Sequence, residues 1–357
     1  MAFDLLEIAA EHGCEALHLA ADPTTGLRAA VAVHSTVLGP SLGGTRFRPY
    51  DDEASAVRDV CRLARGMTYK HAVCGNDQGG GKAVIIGDPT RLRSEELLLA
   101  YGRFIDGLRG VYLTAEDVGT TQADMDLLRS VTPYVTGTSE ALGGSGDPSP
   151  ATAWGVFHAL GTVAERLWGS PSIEGRHVVV AGVGKVGSAL ARHLAGAGAR
   201  LTLSDVRGDA VDALAKELGA AVVDPLDAAG TECDILSPCA LGAVLSAASV
   251  PVLRCAAVCG AANNQLATDE DGARLAERGV LYAPDYVVNA GGVINIADET
   301  ASGGYDRDRA LGRVAGIAAT LRRVFDIADA AGITTAAAAD RLAEERLASA
   351  TPAGQPS

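Results

Sequence analysis

Two kinds of apolar pattern alternate through the first part of the chain. Short apolar runs predict strands, and segments in which apolar residues recur every three or four positions predict amphipathic helices. We expect, in chain order, a helix and then a strand (27–33) within residues 1–34, a glycine-rich turn at 38–46, a helix at about 54–64, a glycine-rich turn at 79–82, a strand at 83–86, a helix at about 94–108 and a strand at 111–115. These elements predict an N-terminal α/β domain over residues 1–138.

The composition changes at residues 137–150, where glycine, serine and proline predict a flexible connection. Beyond it helices and strands alternate, which is typical of a parallel sheet with crossover helices. We therefore expect a Rossmann-like, doubly wound domain over residues 139–330 and a cleft between the two domains. Residues 331–357 are expected to form a C-terminal helix that packs on the first domain or on a neighbouring subunit, with 351–357 frayed. The predicted elements of the second domain are a helix at 151–168, a strand at 177–181, a helix at 185–197 and a strand at 200–204.

Charge and composition exclude several classes of function. The formal charge of −14 makes the surface repel phosphate backbones, so nucleic-acid binding is not expected. No segment approaches the roughly 20 continuous apolar residues of a membrane helix, and Met1–Glu7 lacks the basic flank and apolar stretch of a signal peptide. We therefore expect a cytoplasmic protein. The seven cysteines include no CxxC pair, so neither a disulfide framework nor a metal site is expected, and most of the cysteines are expected to be buried.

The segment 182–187 (GVGKVG) fits the GxGxxG pattern of dinucleotide-binding turns. It follows an apolar strand and opens an apolar helix. In this motif the first glycine permits a tight turn, the second lets the pyrophosphate approach the backbone, and the third lets helix and strand pack closely. The next strand ends in Asp205, about 20 residues further on, where an acidic residue binds a ribose hydroxyl and repels a 2′-phosphate. This pattern favours NAD over NADP, although Arg207 would weaken the preference. The alternative interpretation of the glycine segment is a tight turn between strand and helix that binds no ligand.

The segment Gly79–Lys82 resembles a phosphate-binding P-loop only superficially. A P-loop needs a glycine where this chain has Asn76 and a hydroxyl residue where it has Ala83. We interpret the glycines instead as room for a substrate beside Lys82. Two lysines, Lys70 and Lys82, with a carboxylate at Asp117 suit an amino-acid substrate: one lysine would hold its carboxylate and the other would act as a base. The alternative for each lysine alone is a solvated surface group.

Longer segments carry a wider resemblance. They are 38–46 (LGPSLGGTR), 66–70 (GMTYK), 79–82 (GGGK), 114–120 (TAEDVGT), 238–242 (PCALG), 260–265 (GAANNQ) and 282–294 (YAPDYVVNAGGVI). Through them almost the whole chain resembles the glutamate/leucine/phenylalanine/valine dehydrogenase family, and most of all its leucine and valine dehydrogenases. The resemblance implies a substrate domain, an NAD domain, and reversible oxidative deamination of an amino acid to a 2-oxo acid and ammonium.

Carried over by position, the resemblance also implies roles for single residues. Lys70 would hold the substrate carboxylate, Lys82 would be the general acid/base that activates water, and Asp117 would assist proton transfer. Asn263 would lie near the substrate amine and the nicotinamide ribose, and Thr152 would face the nicotinamide amide. The expected cofactor-binding residues are therefore Thr152, Gly182, Gly184, Lys185, Val186, Gly187, Asp205, Ala240 and Asn263.

The resemblance further implies an apolar pocket for the substrate side chain. Glutamate dehydrogenases place a lysine at the position of Leu42 and a serine at that of Ile296, so glutamate is expected to be a poor substrate here. Phenylalanine dehydrogenases tend to have smaller residues at the positions of Leu42 and Val293, so the bulk here favours an aliphatic side chain. Leucine and valine differ by one methylene, worth about 1–3 kcal/mol, and are not separated. The expected walls of the pocket are Leu42, Gly43, Ala115, Val293 and Ile296.

Three hypotheses follow from the sequence. The first is a dehydrogenase of branched-chain amino acids (leucine, valine or isoleucine). The second is a dehydrogenase of the same family that acts on an aromatic or unusual amino acid; Gln78, where relatives usually have an apolar residue, motivates it. The third is a non-catalytic NAD-binding regulator, which the presence of Lys70, Lys82 and Asp117 disfavours. The resemblance also leads us to expect a homo-oligomer, an octamer or a dimer.

Overall fold

The structure is a computed structural model that describes residues 5–240 and 242–350. Leu241, which belongs to one of the segments quoted above, and the end expected to fray (351–357) lie outside the described residues. The chain divides into two compact units. Unit 1 comprises Met1–Asp147, Ile296–Arg307 and Ala343–Ser357, and unit 2 comprises Pro148–Asn295 and Asp308–Leu342.

Unit 1 contains one mixed sheet. Its strands are β1 (Ala16–Asp22), β2 (Leu27–Ser35), β3 (Ser41–Arg48), β4 (Gly79–Ile86) and β5 (Tyr112–Glu116). They lie in the order β1-β2-β4-β3-β5. β2 pairs antiparallel with β1 and β4, whereas β3 is parallel to both β4 and β5. The first five helices are α1 (Leu5–Glu11), α2 (Glu53–Val73), α3 (Pro89–Leu92), α4 (Glu95–Gly107) and α5 (Gln122–Arg129).

Side chains that alternate along the strands divide unit 1 into two cores. On one face, Val31 and Phe47 pack with Tyr101 of α4. On the other face, Ala32 and Val84 pack against α2. This period of two is what a strand imposes, because successive side chains point to opposite faces. The sheet therefore has an α4 face and an α2 face, and the parity of a strand residue decides which face it occupies.

Side chains cap the starts of two helices of unit 1. The side chain of Asp52 accepts a hydrogen bond from Ser55 N–H at the start of α2, and that of Ser94 accepts one from Leu97 N–H at the start of α4. The helix that we predicted at 54–64 is longer, because α2 continues to Val73.

The glycine-rich segments 38–46 and 79–82, which we predicted to be turns, belong largely to strands β3 and β4. Close packing of these strands against neighbouring backbone explains why the positions are occupied by glycine. A Cβ at Gly80 would lie 2.1 Å from the backbone N of Thr68 on α2, and one at Gly79 would lie 2.0 Å from the carbonyl oxygen of Ser35. Protein atoms therefore fill the room that we had assigned to a substrate, and that interpretation of these glycines is wrong.

Unit 2 contains a parallel sheet. Its strands are β6 (His177–Ala181), β7 (Arg200–Ser204), β8 (Ala221–Val222), β9 (Ile235–Pro238), β10 (Ala257–Val258) and β11 (Leu281–Tyr282). They lie in the order β11-β10-β9-β6-β7-β8, and every pair is parallel. The order reverses between β6 and β9, which is the switch point of a doubly wound, Rossmann-like sheet. The predicted strands at 177–181 and 200–204 and the predicted fold class are confirmed.

Helices connect and cover the strands of unit 2 and form the C-terminal part of the chain. Along the described ranges, 5–240 and 242–350, no helix is both long and apolar enough to cross a lipid bilayer. The helices are α6 (Ser149–Trp168), α7 (Lys185–Gly196), α8 (Gly208–Leu218), α9 (Asp269–Glu277), α10 (Asp285–Val288), α11 (Gly291–Ala297), α12 (Arg307–Ala315), α13 (Ile317–Ala331) and α14 (Thr335–Ser349).

Candidate active site

A chain of alternating charges lies on the α2 face of unit 1. Asp117 follows β5, and its Oδ2 atom accepts from Lys82 Nζ at 2.9 Å and from Arg46 Nε at 3.2 Å. Arg46 also pairs through Nη1 with Asp59 Oδ2 at 3.0 Å, and Tyr50 OH donates to the same oxygen at 2.8 Å. The Lys82 side chain is only 10% exposed. One carboxylate oxygen thus joins the predicted acid/base lysine to a half-buried guanidinium.

A tight turn fixes the position of Asp117. The hydroxyl of Thr120 accepts from Asp117 N–H at 2.9 Å and can donate to the carbonyl of Thr45 at 2.9 Å. Gly119 adopts φ +84°, and a Cβ there would lie 1.8 Å from the carbonyl oxygen of Phe47. A side chain at this position would be both strained and blocked. The turn therefore sets the carboxylate against β3 and β4.

The neighbouring cations keep Asp117 ionised. Burial alone would raise the pKa of this carboxyl, but the charges of Lys82 and Arg46 and hydrogen bonds from Lys82 Nζ and Val118 N–H lower it to about 2. Asp117 is consequently a carboxylate throughout the neutral range. It can accept a hydrogen bond or a proton in transit, and it holds the Lys82 amino group in one place.

Strand alternation brings two more of the residues predicted for unit 1, Leu42 and Ala115, to the same face. Arg46 pairs with α2, so Leu42, which is four residues earlier on β3, faces α2 as well. Tyr112 packs in the core on the α4 face, so Ala115 points to the α2 face. Leu42 and Ala115 are both buried. The sheet thus places an apolar patch beside the Lys82–Asp117 pair.

Lys70 lies on α2 and is half-buried. The next residue, His71, is fully buried and ties the end of α2 to the sheet. Asn76 Nδ2 donates to His71 Nδ1 at 3.1 Å, which leaves the proton on Nε2 to donate to the carbonyl of Leu42 at 3.1 Å. The position of Lys70 relative to β3 is therefore set by its neighbour in sequence.

Among the expected pocket residues, Gly43 is required by strand packing, and Ile296 and Val293 belong to different units. A Cβ at Gly43 would lie 1.9 Å from the carbonyl oxygen of Gly81, so packing between β3 and β4 requires the glycine. Ile296 belongs to unit 1, where its Cγ2 lies 3.8 Å from the position of a Cβ built on Gly137, whereas Val293 belongs to unit 2. Gln78, the departure from the family pattern, donates through Nε2 to Thr300 Oγ1 at 2.9 Å.

In unit 2 the glycine motif connects β6 to α7. Gly182 has φ +109°, and a Cβ there would lie 2.7 Å from Ala240 Cβ, at the end of β9. A Cβ at Gly187 would lie 1.9 Å from the carbonyl oxygen of Gly182, which confirms the expected close packing. Among the described residues other than its two chain neighbours, no heavy atom lies within 4 Å of a Cβ built on Gly184, so this part of the turn is open. Lys185 and Val186 lie in the first turn of α7.

Asp205 ends β7 beside this turn. Its Oδ2 accepts from Val183 N–H at 2.8 Å, and its Oδ1 accepts from Arg207 N–H at 2.9 Å and from Arg207 Nε at 3.1 Å. Burial would raise the pKa of Asp205, but the hydrogen bonds from Arg207 and Val183 lower it. The carboxylate is therefore ionised and shares its charge with an exposed guanidinium.

The remaining predicted residues of unit 2 lie on loops and at a helix start. Asn263 Oδ1 accepts from Asn289 Nδ2 at 2.8 Å, and Asn289 also donates to the carbonyl of Ala261 at 3.1 Å. Thr152 lies in the first turn of α6, where its hydroxyl donates to the carbonyl of Pro148 at 3.1 Å. The roles assigned to these residues stay predictions, since the contacts describe only how the side chains are held.

Sequence reasoning missed three residues of the charge chain and its support: Arg46, Asp59 and His71. Arg46 lies within the quoted segment 38–46 and near the end of β3, so its charge could have marked it as a candidate site residue. Asp59 lies on α2 without a motif around it. A lone histidine in an apolar helix gives no sequence signal that separates a structural role from a functional one.

Comparison with known proteins gives a consistent result. A family model described as "Glu/Leu/Phe/Val dehydrogenase, dimerisation domain" matches residues 16–134, and one described as "Glutamate/Leucine/Phenylalanine/Valine dehydrogenase" matches residues 143–215 and 209–353. The chain is 48% identical to a leucine dehydrogenase of Bacillus cereus, over 98% of this chain and 95% of the relative. It is 51% identical to a valine dehydrogenase of Streptomyces coelicolor, over 95% of this chain and 94% of the relative.

Among solved structures, an L-tryptophan dehydrogenase from Nostoc punctiforme matches with a TM-score of 0.85 and 40% identity, covering 97% of this chain and 99% of that one. The two family models together cover most of the chain, and the sequence relatives cover nearly all of it. The resemblance predicted from the quoted segments is thereby confirmed, and the chain belongs to the glutamate/leucine/phenylalanine/valine dehydrogenase family.

Proposed function

We propose that this protein is an NAD-dependent dehydrogenase of branched-chain L-amino acids, which converts leucine, valine or isoleucine reversibly to the 2-oxo acid and ammonium. The observation that carries the proposal is the Lys82–Asp117 pair at 2.9 Å, fixed beside the apolar residues Leu42 and Ala115. The leucine and valine dehydrogenases that match nearly the full chain support the same reaction.

The residues of unit 1 would divide the work at the α-carbon. Lys70 would hold the substrate carboxylate. Lys82, as the neutral amine, would take a proton from the attacking water and return it to the departing ammonia, and Asp117, ionised beside it, would orient the amino group and relay the proton. Arg46 would keep Asp117 in place without contacting substrate. In this scheme Lys70 binds the substrate and Lys82 transfers the protons.

The turn residues of unit 2 fit a dinucleotide. Gly184 is open to a phosphate, the first turn of α7 offers backbone N–H groups, and Asp205 is an ionised acceptor for ribose hydroxyls. Thr152, Ala240 and Asn263 complete the proposed site. Bound NAD would supply the acceptor for the hydride that leaves the α-carbon. NAD is favoured over NADP because a 2′-phosphate would meet the Asp205 carboxylate.

The apolar patch supports an aliphatic substrate. A glutamate side chain against Leu42 and Ala115 would lose its water without gaining a partner, at a cost of several kcal/mol. A leucine side chain buried there would gain roughly 2 kcal/mol. Glutamate should therefore be turned over poorly, as we expected from the sequence.

A second candidate function is a dehydrogenase of aromatic amino acids. The observation that favours it is the fold match to an L-tryptophan dehydrogenase, with a TM-score of 0.85. The two candidate functions differ in the size of the substrate side chain. We expect the bulk of Leu42 to limit the pocket, which favours an aliphatic side chain over an aromatic one.

Initial rates of NADH formation from each common L-amino acid at mildly alkaline pH test the proposal. We expect leucine, valine and isoleucine to have the highest kcat/KM and glutamate to be inert. If tryptophan or phenylalanine leads, the second candidate is correct. If no amino acid is oxidised although NAD binds, the protein is a non-catalytic NAD-binding regulator.

The assignment of Lys82 has its own test. Lys82→Ala should lower kcat by at least about a thousandfold, since it removes the proton-transferring group, and NAD affinity should stay within about twofold because the nucleotide site lies in unit 2. Lys216→Ala, on α8, is the matched control and should retain wild-type kcat. Near-normal turnover by Lys82→Ala would exclude this residue as the acid/base.

We further propose that the protein is a homo-oligomer. The family model that matches residues 16–134 is described as a dimerisation domain, which supports self-association through unit 1. Light scattering at micromolar concentration should give a mass that is a multiple of the 36.3 kDa chain. A mass of one chain would contradict the proposal.

A further inference from the structure

Two cysteines lie side by side at one end of the parallel sheet of unit 2. In strands β9 and β10, Ile235 pairs with Ala257. The hydrogen bond from Cys233 N–H to the carbonyl of Arg254 (3.1 Å) continues the same register toward the beginning of both strands. Two residues before the Ile235–Ala257 pair, this register places Cys233 directly beside Cys255.

The two side chains also point to the same side of the sheet. Both pack against the core that contains Leu236 and Val258. Neighbouring strands lie about 4.8 Å apart, and a disulfide requires Cα atoms about 4.4–6.8 Å apart. A disulfide can therefore form at this position without moving the strands.

Accessibility and charge favour reaction at this pair. Cys233 and Cys255 are half-buried, whereas Cys61 and Cys259 are buried; our expectation that most cysteines are buried was therefore wrong. A hydrogen bond from the Cys233 thiol lowers the pKa of Cys255 despite its burial, and the positive charge of Arg278 acts in the same direction. Cys255 is thus the thiol that ionises first, and the thiolate is the nucleophilic form.

We propose that Cys233 and Cys255 are a redox-active thiol pair that a peroxide oxidises to an intrachain disulfide. The Cys255 thiolate attacks one oxygen of hydrogen peroxide, which gives a sulfenic acid and releases hydroxide. The Cys233 sulfur then attacks the sulfenic sulfur, the S–S bond forms, and water leaves. In total two thiols and one peroxide give one disulfide and two waters; both sulfurs are oxidised and both peroxide oxygens are reduced.

The position of the pair separates it from the proposed cofactor site. Cys233 precedes β9, whereas Ala240 follows it, about 20 Å further along if the chain is extended. A disulfide here would connect β9 to β10 at the end of the sheet away from Gly182. It would restrict the unfolded chain between the two cysteines and so stabilise unit 2 without changing the residues proposed for catalysis.

Peptide mapping tests the proposal directly. The full-length protein is treated with hydrogen peroxide, its remaining thiols are alkylated, and it is digested with trypsin without reduction. The expected product is peptide 217–254 linked to peptide 255–274, accompanied by a rise in the thermal unfolding midpoint on the order of 5 °C. Dithiothreitol should reverse both changes.

Variants identify the sulfurs, because each of these peptides holds a second cysteine. The peptide link and the rise in the thermal unfolding midpoint should disappear in Cys233→Ser and in Cys255→Ser. Both should persist in the matched control Cys74→Ser, which removes a half-buried thiol of unit 1. A link that survives in Cys233→Ser joins other cysteines and overturns the proposal. So does a link between Cys14 and Cys61 in place of this one, or peroxide treatment that leaves both peptides unlinked.

Discussion

A buried histidine gives the sharpest test of how unit 1 is held together. His71 is fully buried, accepts from Asn76 at Nδ1 and donates from Nε2 to the carbonyl of Leu42. Burial lowers the pKa of His71 to about 4, and the positive charges of Lys70 and Arg346 act in the same direction even though the Leu42 carbonyl opposes them. The folded protein thus requires the neutral ring.

The sign and size of the pH effect follow from linkage. In the unfolded chain the pKa of a histidine is about 6.5, so protons bind the unfolded state first as the pH falls. Stability is complete above about pH 6.5 and is lost as the pH falls toward 4. With a pKa of about 4 in the folded state, His71 alone should cost about 2 kcal/mol between pH 7.5 and 5, and about 3 kcal/mol by pH 4.

The assay is urea unfolding followed by circular dichroism at pH 7.5, 6 and 5, at one protein concentration because association adds to apparent stability. His71→Gln keeps an amide donor and acceptor but does not titrate. Its loss of stability between pH 7.5 and 5 should be about 2 kcal/mol smaller than that of the wild type. The control His12→Gln changes a histidine at the end of α1 and should keep the wild-type slope. If His71→Gln loses stability as steeply as the wild type, His71 is not the neutral buried group described here.

Three further predictions concern the charge pair, the strand packing and the cofactor. Asp117→Asn should lower kcat by about 100-fold or more, because Lys82 loses the carboxylate that orients it, and steady-state rates measure this; an unchanged kcat would refute it. Gly80→Ala should cost about 1–3 kcal/mol of stability by urea unfolding, since its Cβ would meet α2 at 2.1 Å, whereas Gly66→Ala, with open space around it, should be neutral or stabilising. Asp205→Asn should raise the KM for NAD about 10- to 100-fold, because a charge-assisted hydrogen bond is lost. It should also reduce the preference for NAD over NADP, and an unchanged NAD/NADP ratio of kcat/KM would contradict the assignment.

The parallel sheet of unit 2 could be predicted because its signals are local. An apolar strand, a glycine turn and an apolar helix follow one another within 20 residues or so, and each element is recognisable by its own period. The bounds 177–181 and 200–204 agree with the structure for this reason. The Gly182 and Gly187 packing was also predictable, because the motif states which glycine meets which neighbour.

Unit 1 was harder to predict because its glycines serve long-range packing. The glycines of β3 and β4 are required by Thr68 on α2 and by other strands, not by the local bend that glycine-rich composition usually indicates. The Arg46–Asp59 contact joins a strand to a helix in the same way. No periodicity in a single sequence shows which charged side chains will meet across such distances.

The ion pairs of unit 1 also bear on the choice of substrate. Lys82, Asp117, Arg46 and Asp59 alternate in sign along one connected chain, and Arg62 also pairs with Asp59 at 2.9 Å, so each of these three cations already has a carboxylate partner. A neutral amino acid is a zwitterion: its carboxylate would engage Lys70, and its ammonium group leaves as the reaction proceeds. A dicarboxylic amino acid would add a second negative charge with its partners already engaged, and burying an uncompensated charge costs several kcal/mol. The apolar patch would therefore account for a preference for an aliphatic side chain, and the engagement of these cations by carboxylates would account independently for the rejection of an acidic one.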